Sequence, residues 1–322
     1  MNPLRLHEIG KTGLQVTRLG IGGGPVGQLE PDLSDRRGVA AIRRALASGI
    51  RYFDTSPYYG RGRSEMRFGR ALADVPRDSY VISTKVGRLL KLNGTQEVDF
   101  DRISLVNLPA LTPVYDFSRS AILRSFEQSL QRLGLESVDI LFLHDVPEGH
   151  YQQAIEQASP TLAELRSQGV VTAIGAGMGN LDLLIRFAEE ADFDCFLLPS
   201  RYTLMDQTAL AEFLPLCRQK GISIIMGAPY DGGRIFGRAR TTAEFAERLD
   251  RIRTVCKRHN VPIKAAALQF AAAHPAAVSV IPGPRTAEEV KDNIRMMAHP
   301  IPSELWDDLR DEKLVHPESP TP

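Results

Sequence analysis

Short apolar runs rich in β-branched residues alternate with longer amphipathic runs along most of the chain. The apolar runs predict strands over 17–22, 50–54, 80–85, 138–143, 171–175, 194–198, 222–226 and 278–281. Several lack the alternation of a half-buried strand: Val138-Asp139-Ile140-Leu141-Phe142-Leu143 and Ile222-Ser223-Ile224-Ile225-Met226 are apolar nearly throughout. Strands buried on both faces read this way, as in a parallel sheet covered by helices. Between them apolar positions recur at helical spacing. Ser34-Asp35 opens a helix that runs to Ala47 and stops at Ser48-Gly49. Ser118 caps a second, in which Ile122, Leu123, Phe126, Leu130 and Leu133 make one face before Gly134. Further helices are predicted over 160–168, 181–191, 206–219, 242–259, 263–273 and 286–297.

Eight strands alternating with helices, with no linker between them, predict one (β/α)₈ barrel over 1–322, an α/β fold, with a hairpin at 5–16 before it and a helix after it. The alternative is an open doubly wound sheet, which would carry GxGxxG between its first strand and a helix. Gly20-Ile21-Gly22-Gly23-Gly24-Pro25 has a different spacing and no immediate helical pattern behind it. Two segments stand outside the alternation. Residues 87–117 are too long for an ordinary strand-to-helix connection and carry Tyr115, which marks them as a functional excursion. Residues 314–322 are proline-rich and predicted to fray.

Charge narrows the partner. Lys plus Arg and Asp plus Glu both number 39 in 322 residues, so nothing draws the chain to nucleic acid or an acidic membrane, and a small-molecule substrate is expected. Cys195, Cys217 and Cys256 are odd in number and widely spaced, which argues against a disulfide framework or zinc site and for a reducing compartment. No leader pattern or membrane-length apolar stretch is present in the sequence given, and a cytoplasmic enzyme is expected. Oligomeric state is not set by any of these features.

In a parallel barrel, chemistry gathers where strands end and helices have yet to start. Four polar residues occupy such positions: Asp54 ends the second strand, Tyr59 follows five residues later, Lys85 ends the third strand and His144 follows the fourth. Each alone is more simply a cap or a solvated loop residue; together they lie at one end of three consecutive strands.

The run Asp54-Thr55-Ser56-Pro57-Tyr58-Tyr59-Gly60 with Ser64-Glu65 resembles the signature of the aldo-keto reductase superfamily. So do Ser83-Thr84-Lys85, Ser129-Leu130-Gln131-Arg132-Leu133-Gly134-Leu135 leading into Val138-Asp139-Ile140 and His144, and Gly169 to Gly175. The resemblance covers nearly the whole chain in the family's order. It implies hydride transfer between a nicotinamide cofactor and a carbonyl or hemiacetal carbon, with no metal. It selects Tyr59 as the proton donor and acceptor and puts Tyr58 at the substrate mouth with Tyr115. Lys85 would lower the phenol's pKa from its usual value of about 10. Asp54 would hold the ammonium, and His144 would orient the substrate oxygen. Arg201 to Leu204 and Val114 to Ser118 resemble the branch that holds D-threo-aldose 1-dehydrogenase, L-fucose dehydrogenase and pyridoxal 4-dehydrogenase. That implies oxidation of a hemiacetal or aldehyde to a lactone or acid. Two alternatives stay open: a general NADPH-dependent aldehyde reductase, and a non-catalytic barrel that binds dinucleotide.

The resemblance also implies a cofactor site, at Gly22 and Gly23, in the loop Gly227, Ala228, Pro229, Tyr230, Gly232 and Gly233, and in Gly283, Pro284, Arg285, Glu289 and Asn293. Gly283 and Glu289 stand where NADP-specific members carry a lysine and an arginine, so NAD is expected, with NADP open through Arg285. Gly177-Met178 replaces the family's Ser-Asn pair at the nicotinamide amide, and Asn180 is expected to take part of that role.

Overall fold

The computed structural model describes residues 1–28 and 34–322. A hairpin of β1 (Leu6–Glu8) and β2 (Gln15–Thr17) precedes eight parallel strands. These are β3 (Ile21–Gly22), β4 (Tyr52–Asp54), β5 (Val81–Val86), β8 (Ile140–His144), β9 (Ala173–Gly177), β10 (Cys195–Pro199), β11 (Ser223–Gly227) and β12 (Ala277–Ile281), each beside its predecessor in that order. The ends join. Gly20 N–H donates to Val280 O at 2.9 Å, Val280 N–H to Arg18 O at 2.8 Å and Gly22 N–H to Pro282 O at 2.9 Å, which closes the sheet into a barrel. Closure leaves no unpaired edge within the barrel.

Every residue of β4, β5, β8, β9 and β11 is buried, as the continuous apolar runs require. One face fills the barrel with Tyr52, Val81, Ile140, Phe142, Leu197, Ile225 and Ile281, among others, and Ile9 and Val16 join this cluster from the hairpin end. The other face packs against the helices in a much larger apolar layer. Several helices start where short polar side chains cap them. Ser34 accepts from Arg37 N–H, Ser118 from Ala121 N–H, Thr242 from Phe245 N–H and Thr286 from Glu289 N–H.

Several elements differ from the sequence expectation. The first strand is divided, because β2 belongs to the hairpin and only β3 to the barrel. Helix Arg63–Leu72 is absent from the periodicity because its polar residues are buried with the apolar ones: Ser64, Glu65 and Arg67 are as enclosed as Met66 and Phe68. The 206–219 helix is shortened to Phe213–Lys220, since Asp206 accepts from Thr208 N–H and Oγ1 and draws that stretch into a turn. The 87–117 excursion contains a second hairpin, β6 (Arg88–Leu92) with β7 (Leu111–Tyr115), over a small apolar cluster of Met66, Leu90, Val98, Phe100, Leu105 and Leu111. The 314–322 segment is packed down rather than frayed: Leu314, Val315 and Ser319 are buried, and Arg310 donates to Ser319 O and Thr321 Oγ1.

A buried polar network joins the strand ends to the helices behind them. Glu65 accepts from Thr84 Oγ1 at 2.6 Å and from Arg132 Nε at 2.6 Å. Ser64 Oγ accepts from Thr55 at 2.8 Å and donates to Gly23 O at 2.9 Å. The Glu65 and Arg132 side chains are 0% and 1% exposed, so each charge depends on the other for solvation. Arg132→Met should therefore cost roughly 3–5 kcal/mol by stranding a buried carboxylate. The double variant Glu65→Leu/Arg132→Met should recover a substantial part of that. Urea midpoints of the three proteins check it; equal losses in single and double variants would deny the coupling.

Candidate active site

Asp54, at the end of β4, and Lys85, near the end of β5, meet across adjacent strands. Lys85 Nζ donates to Asp54 Oδ1 at 2.7 Å, to Oδ2 at 2.6 Å and to the Thr55 carbonyl at 2.8 Å. The Tyr59 phenol also hydrogen-bonds to this ammonium. Asp54 also accepts from Ser83 Oγ at 2.8 Å. Lys85 Nζ lies 4.6 Å from the centroid of the Tyr59 ring, and that ring stands edge-on to His144 at 5.7 Å. The four residues singled out in the sequence therefore converge.

Electrostatics assigns their protonation states. Burial opposes the Lys85 charge, but Asp54 and Tyr59 together outweigh it and hold Lys85 above its ordinary value, so it is an ammonium. Burial also raises Asp54, with Lys85 pulling it back. The Tyr59 phenol corrects an expectation. Burial raises its pKa above the usual 10 and outweighs the lowering by Lys85, so the free enzyme holds a neutral phenol. His144 is pushed well below 6.5, by burial first and then by Lys85 and Arg88, and is neutral. A neutral imidazole has one N–H. Ser56 Oγ accepts from Tyr58 N–H at 3.1 Å and lies 2.9 Å from His144 Nδ1. In the Nε2–H tautomer Nδ1 accepts the Ser56 hydroxyl hydrogen, and we adopt that tautomer.

Tyr58 and Tyr115 are 45% and 41% exposed at the mouth. Between them lies a residue missed in the sequence. Arg88, first in β6 and 7% exposed, has its guanidinium 4.3 Å from the Tyr58 ring centroid and 4.9 Å from that of Tyr115. Its Nη2 donates to Asp145 Oδ2 at 2.6 Å, and that oxygen lies 3.6 Å from His144 Nε2. Asp145 was visible as the residue after His144 and Arg88 as the opening of the excursion, but no local pattern joined them.

A cavity of about 510 Å³ runs from Asp54, Tyr58 and Tyr59 to Arg238 and Arg285. Gly22, Gly227, Ala228, Pro229, Tyr230, Gly232, Gly233 and Gly283 line it, as expected, and Gln28, Phe236 and Arg238 are additions. Ala228, Asp231, Gly232 and Gly233 all have positive φ, between 46° and 88°, and the loop is tightened by Asp231 N–H donating to Ala228 O and Gly233 N–H to Tyr230 O, both at 2.9 Å. Asp54 and Tyr59 at one end and guanidinium groups at the other fit a dinucleotide, whose charged groups Arg238 and Arg285 would hold.

Other expected contacts are not at the wall. Gly23 is enclosed, and a Cβ there would sit 2.6 Å from Asp54 O and 2.7 Å from Ser64 Oγ. Asn180 is exposed and caps helix Leu181–Glu190 by accepting from Leu183 N–H. Asn293 is buried and accepts from Tyr230 OH at 2.8 Å, supporting the loop from behind. Pro284 is buried and outside the lining. Gly283 is small for a packing reason, since a Cβ would stand 2.4 Å from Pro25 Cδ, and a lysine does not fit there. Glu289 does not face the cavity as a lone carboxylate. It accepts from Arg285 N–H at 2.7 Å and from Arg238 Nη2 at 3.1 Å, with Arg285 Nη2 at 3.5 Å. Burial opposes its ionisation, but these partners outweigh it and hold its pKa below the ordinary value.

The profile of the aldo/keto reductase family matches residues 18–312. The chain is 37% identical to D-threo-aldose 1-dehydrogenase from Pseudomonas sp, over 96% of this chain and 97% of that protein. It is 35% identical to pyridoxal 4-dehydrogenase from Microbacterium luteolum over the same shares. Among solved structures, an aldo-keto reductase from Bacillus halodurans superposes with a TM-score of 0.77 at 21% identity, covering 97% of this chain and 96% of that one. No helix among the described residues is long and apolar enough to cross a membrane. The chain belongs to the aldo/keto reductase family, oxidoreductases that act on CH–OH and carbonyl groups with a nicotinamide cofactor.

Proposed function

We propose that the chain is an aldose 1-dehydrogenase that oxidises the hemiacetal carbon of a sugar to a lactone. The observation that carries this is the Tyr59 phenol between the Lys85–Asp54 pair and neutral His144, at one end of a cavity whose far end is cationic. The nicotinamide supplies or accepts the hydride. His144 Nε2–H donates to the substrate oxygen and fixes its position. In oxidation that oxygen gives its proton to the Tyr59 phenolate; in reduction the phenol returns it. Lys85 stabilises the phenolate, and Asp54 holds the ammonium where it does so. The second reading, a pyridoxal 4-dehydrogenase, draws on the exposed rings of Tyr58 and Tyr115, which would suit an aromatic substrate.

Rates of NAD⁺ and NADP⁺ reduction with L-fucose, D-arabinose, L-galactose and pyridoxal test the assignment. Pyridoxal turned over without any of the sugars would replace it. Tyr59→Phe should lose about 10²–10⁴-fold in kcat with dinucleotide affinity close to wild type, measured by fluorescence titration. Near-normal turnover would move the proton transfer elsewhere. Because burial holds the phenol protonated, oxidation should accelerate as pH rises through the alkaline range. Lys85→Met removes the main influence lowering that pKa, so the rise should move to higher pH as well as start from a lower rate. An unmoved profile would confine Lys85 to a structural role.

Cofactor choice turns on Glu289. It already engages Arg238 and Arg285, the groups a 2′-phosphate would need, and can accept a hydrogen bond from a free ribose 2′-hydroxyl. We therefore assign a preference for NAD. Glu289→Gln should release both guanidinium groups and move the kcat/KM ratio toward NADP by about tenfold, equivalent to ~1.4 kcal/mol. A wild type that favours NADP, or a ratio unaltered in the variant, would refute this.

A further inference from the structure

The residues beside the reacting centre say more about the substrate than the tetrad does. Asp145 directly follows His144 and has φ of +42°, a left-handed conformation uncommon for a non-glycine residue. Its N–H donates to Gly177 O at 3.0 Å, anchoring the turn on β9. The result is a carboxylate whose Oδ2 lies 3.6 Å from His144 Nε2, in a side chain 43% exposed. Arg88 comes from the excursion hairpin and meets the same oxygen at 2.6 Å. Its guanidinium lies between the Tyr58 and Tyr115 rings, and its buried Nε has no hydrogen-bond partner among the described residues. The barrel and the excursion thus bring together an acceptor, a donor and two ring faces within reach of His144.

We propose that Arg88 and Asp145 form a subsite that binds hydroxyl groups adjacent to the reacting carbon of a neutral polyhydroxylated substrate. The chemistry follows from the groups. A carboxylate accepts from hydroxyl hydrogens, and a guanidinium donates to hydroxyl oxygens, so the pair matches a diol, in which each group both gives and receives. The Tyr58 and Tyr115 rings offer apolar faces to the C–H side of a sugar. Within the pair the charges balance, and the carboxylate Oδ2 lies 3.6 Å from His144 Nε2. A bare aldehyde would leave both groups without substrate partners. The proposal deepens the aldose reading and rests on the tetrad being the reacting centre.

The test compares glyceraldehyde with propionaldehyde, which differ in the hydroxyls beside the carbonyl, in NADH- or NADPH-dependent reduction. Wild-type enzyme should favour glyceraldehyde. In Asp145→Asn and in Arg88→Met the kcat/KM ratio of glyceraldehyde to propionaldehyde should fall by about 10- to 100-fold, the worth of a hydrogen bond to a charged group. Asparagine tolerates positive φ, so the first variant keeps the turn at 145. Damage to the fold or to His144 would slow both aldehydes alike and leave the ratio where it was. An unchanged ratio in both variants overturns the subsite, as does a wild type with no preference for glyceraldehyde. Oxidation of L-fucose is followed in parallel. If wild type fails on all sugars yet the ratio collapses in the variants, the subsite stands and the aldose assignment falls. If wild type oxidises sugars and the ratio holds in the variants, the aldose assignment stands and the subsite falls.

Discussion

The buried ion pair of Asp54 and Lys85 is the constraint on which the mouth of this barrel is built. Their side chains are 2% and 1% exposed, and neither charge could be held there without the other. An isolated ammonium in that position would shed its proton, and an isolated carboxylate would take one up. Together they persist as ions because the ammonium donates to both Asp54 oxygens and to the Thr55 carbonyl, while Ser83 adds a further donor to the carboxylate. The adjacent register of β4 and β5, Asp54 opposite Ser83, makes this geometry available. A one-residue slip would turn Lys85 to the other face and leave two unpaired charges in an apolar layer.

That pair sets the state of the groups around it. The Lys85 charge is one of the forces that keep His144 neutral, and the resulting single N–H can be aimed because Ser56 occupies Nδ1. The same charge lies under the Tyr59 ring and opposes the burial that favours the phenol. Burial and charge therefore pull on Tyr59 in opposite directions, and burial prevails. A protonated acid suits reduction at neutral pH, and an alkaline approach to the phenolate suits oxidation. The scaffold behind the pair is also polar: Glu65, Thr84 and Arg132 tie β5 to the helices, so the strand that carries Lys85 is held by directional bonds as well as by packing.

Much of this was legible from the chain alone. The continuous apolar runs of β8 and β11 state that both faces are covered, which fits a parallel barrel and excludes a half-exposed sheet. The strand ends then place Asp54, Lys85 and His144 at one mouth without any knowledge of contacts. Helix Arg63–Leu72 escaped because periodicity assumes that polar residues face water, and here Ser64, Glu65 and Arg67 are inside. The tail escaped for the related reason that proline content reports on helix and strand formation and says nothing of docking: Leu314 and Val315 find the core without either.

The sequence by itself determined the barrel, the mouth and which polar residues gather there, because strand period, strand ends and short motifs are properties of neighbours along the chain. Only the tertiary structure decided who partners whom across it. Glu289 reads as a repelling carboxylate until Arg238, 51 positions away, is placed against it. Gly283 reads as a missing lysine until Pro25 is found where a side chain would go. Arg88 and Asp145, 57 positions apart, are unremarkable separately and become one group beside His144. Even the direction of the Tyr59 shift depended on desolvation at the mouth outweighing the Lys85 charge. Charge compensation, close approach and desolvation are set by residues distant in the chain, and no local pattern encodes them.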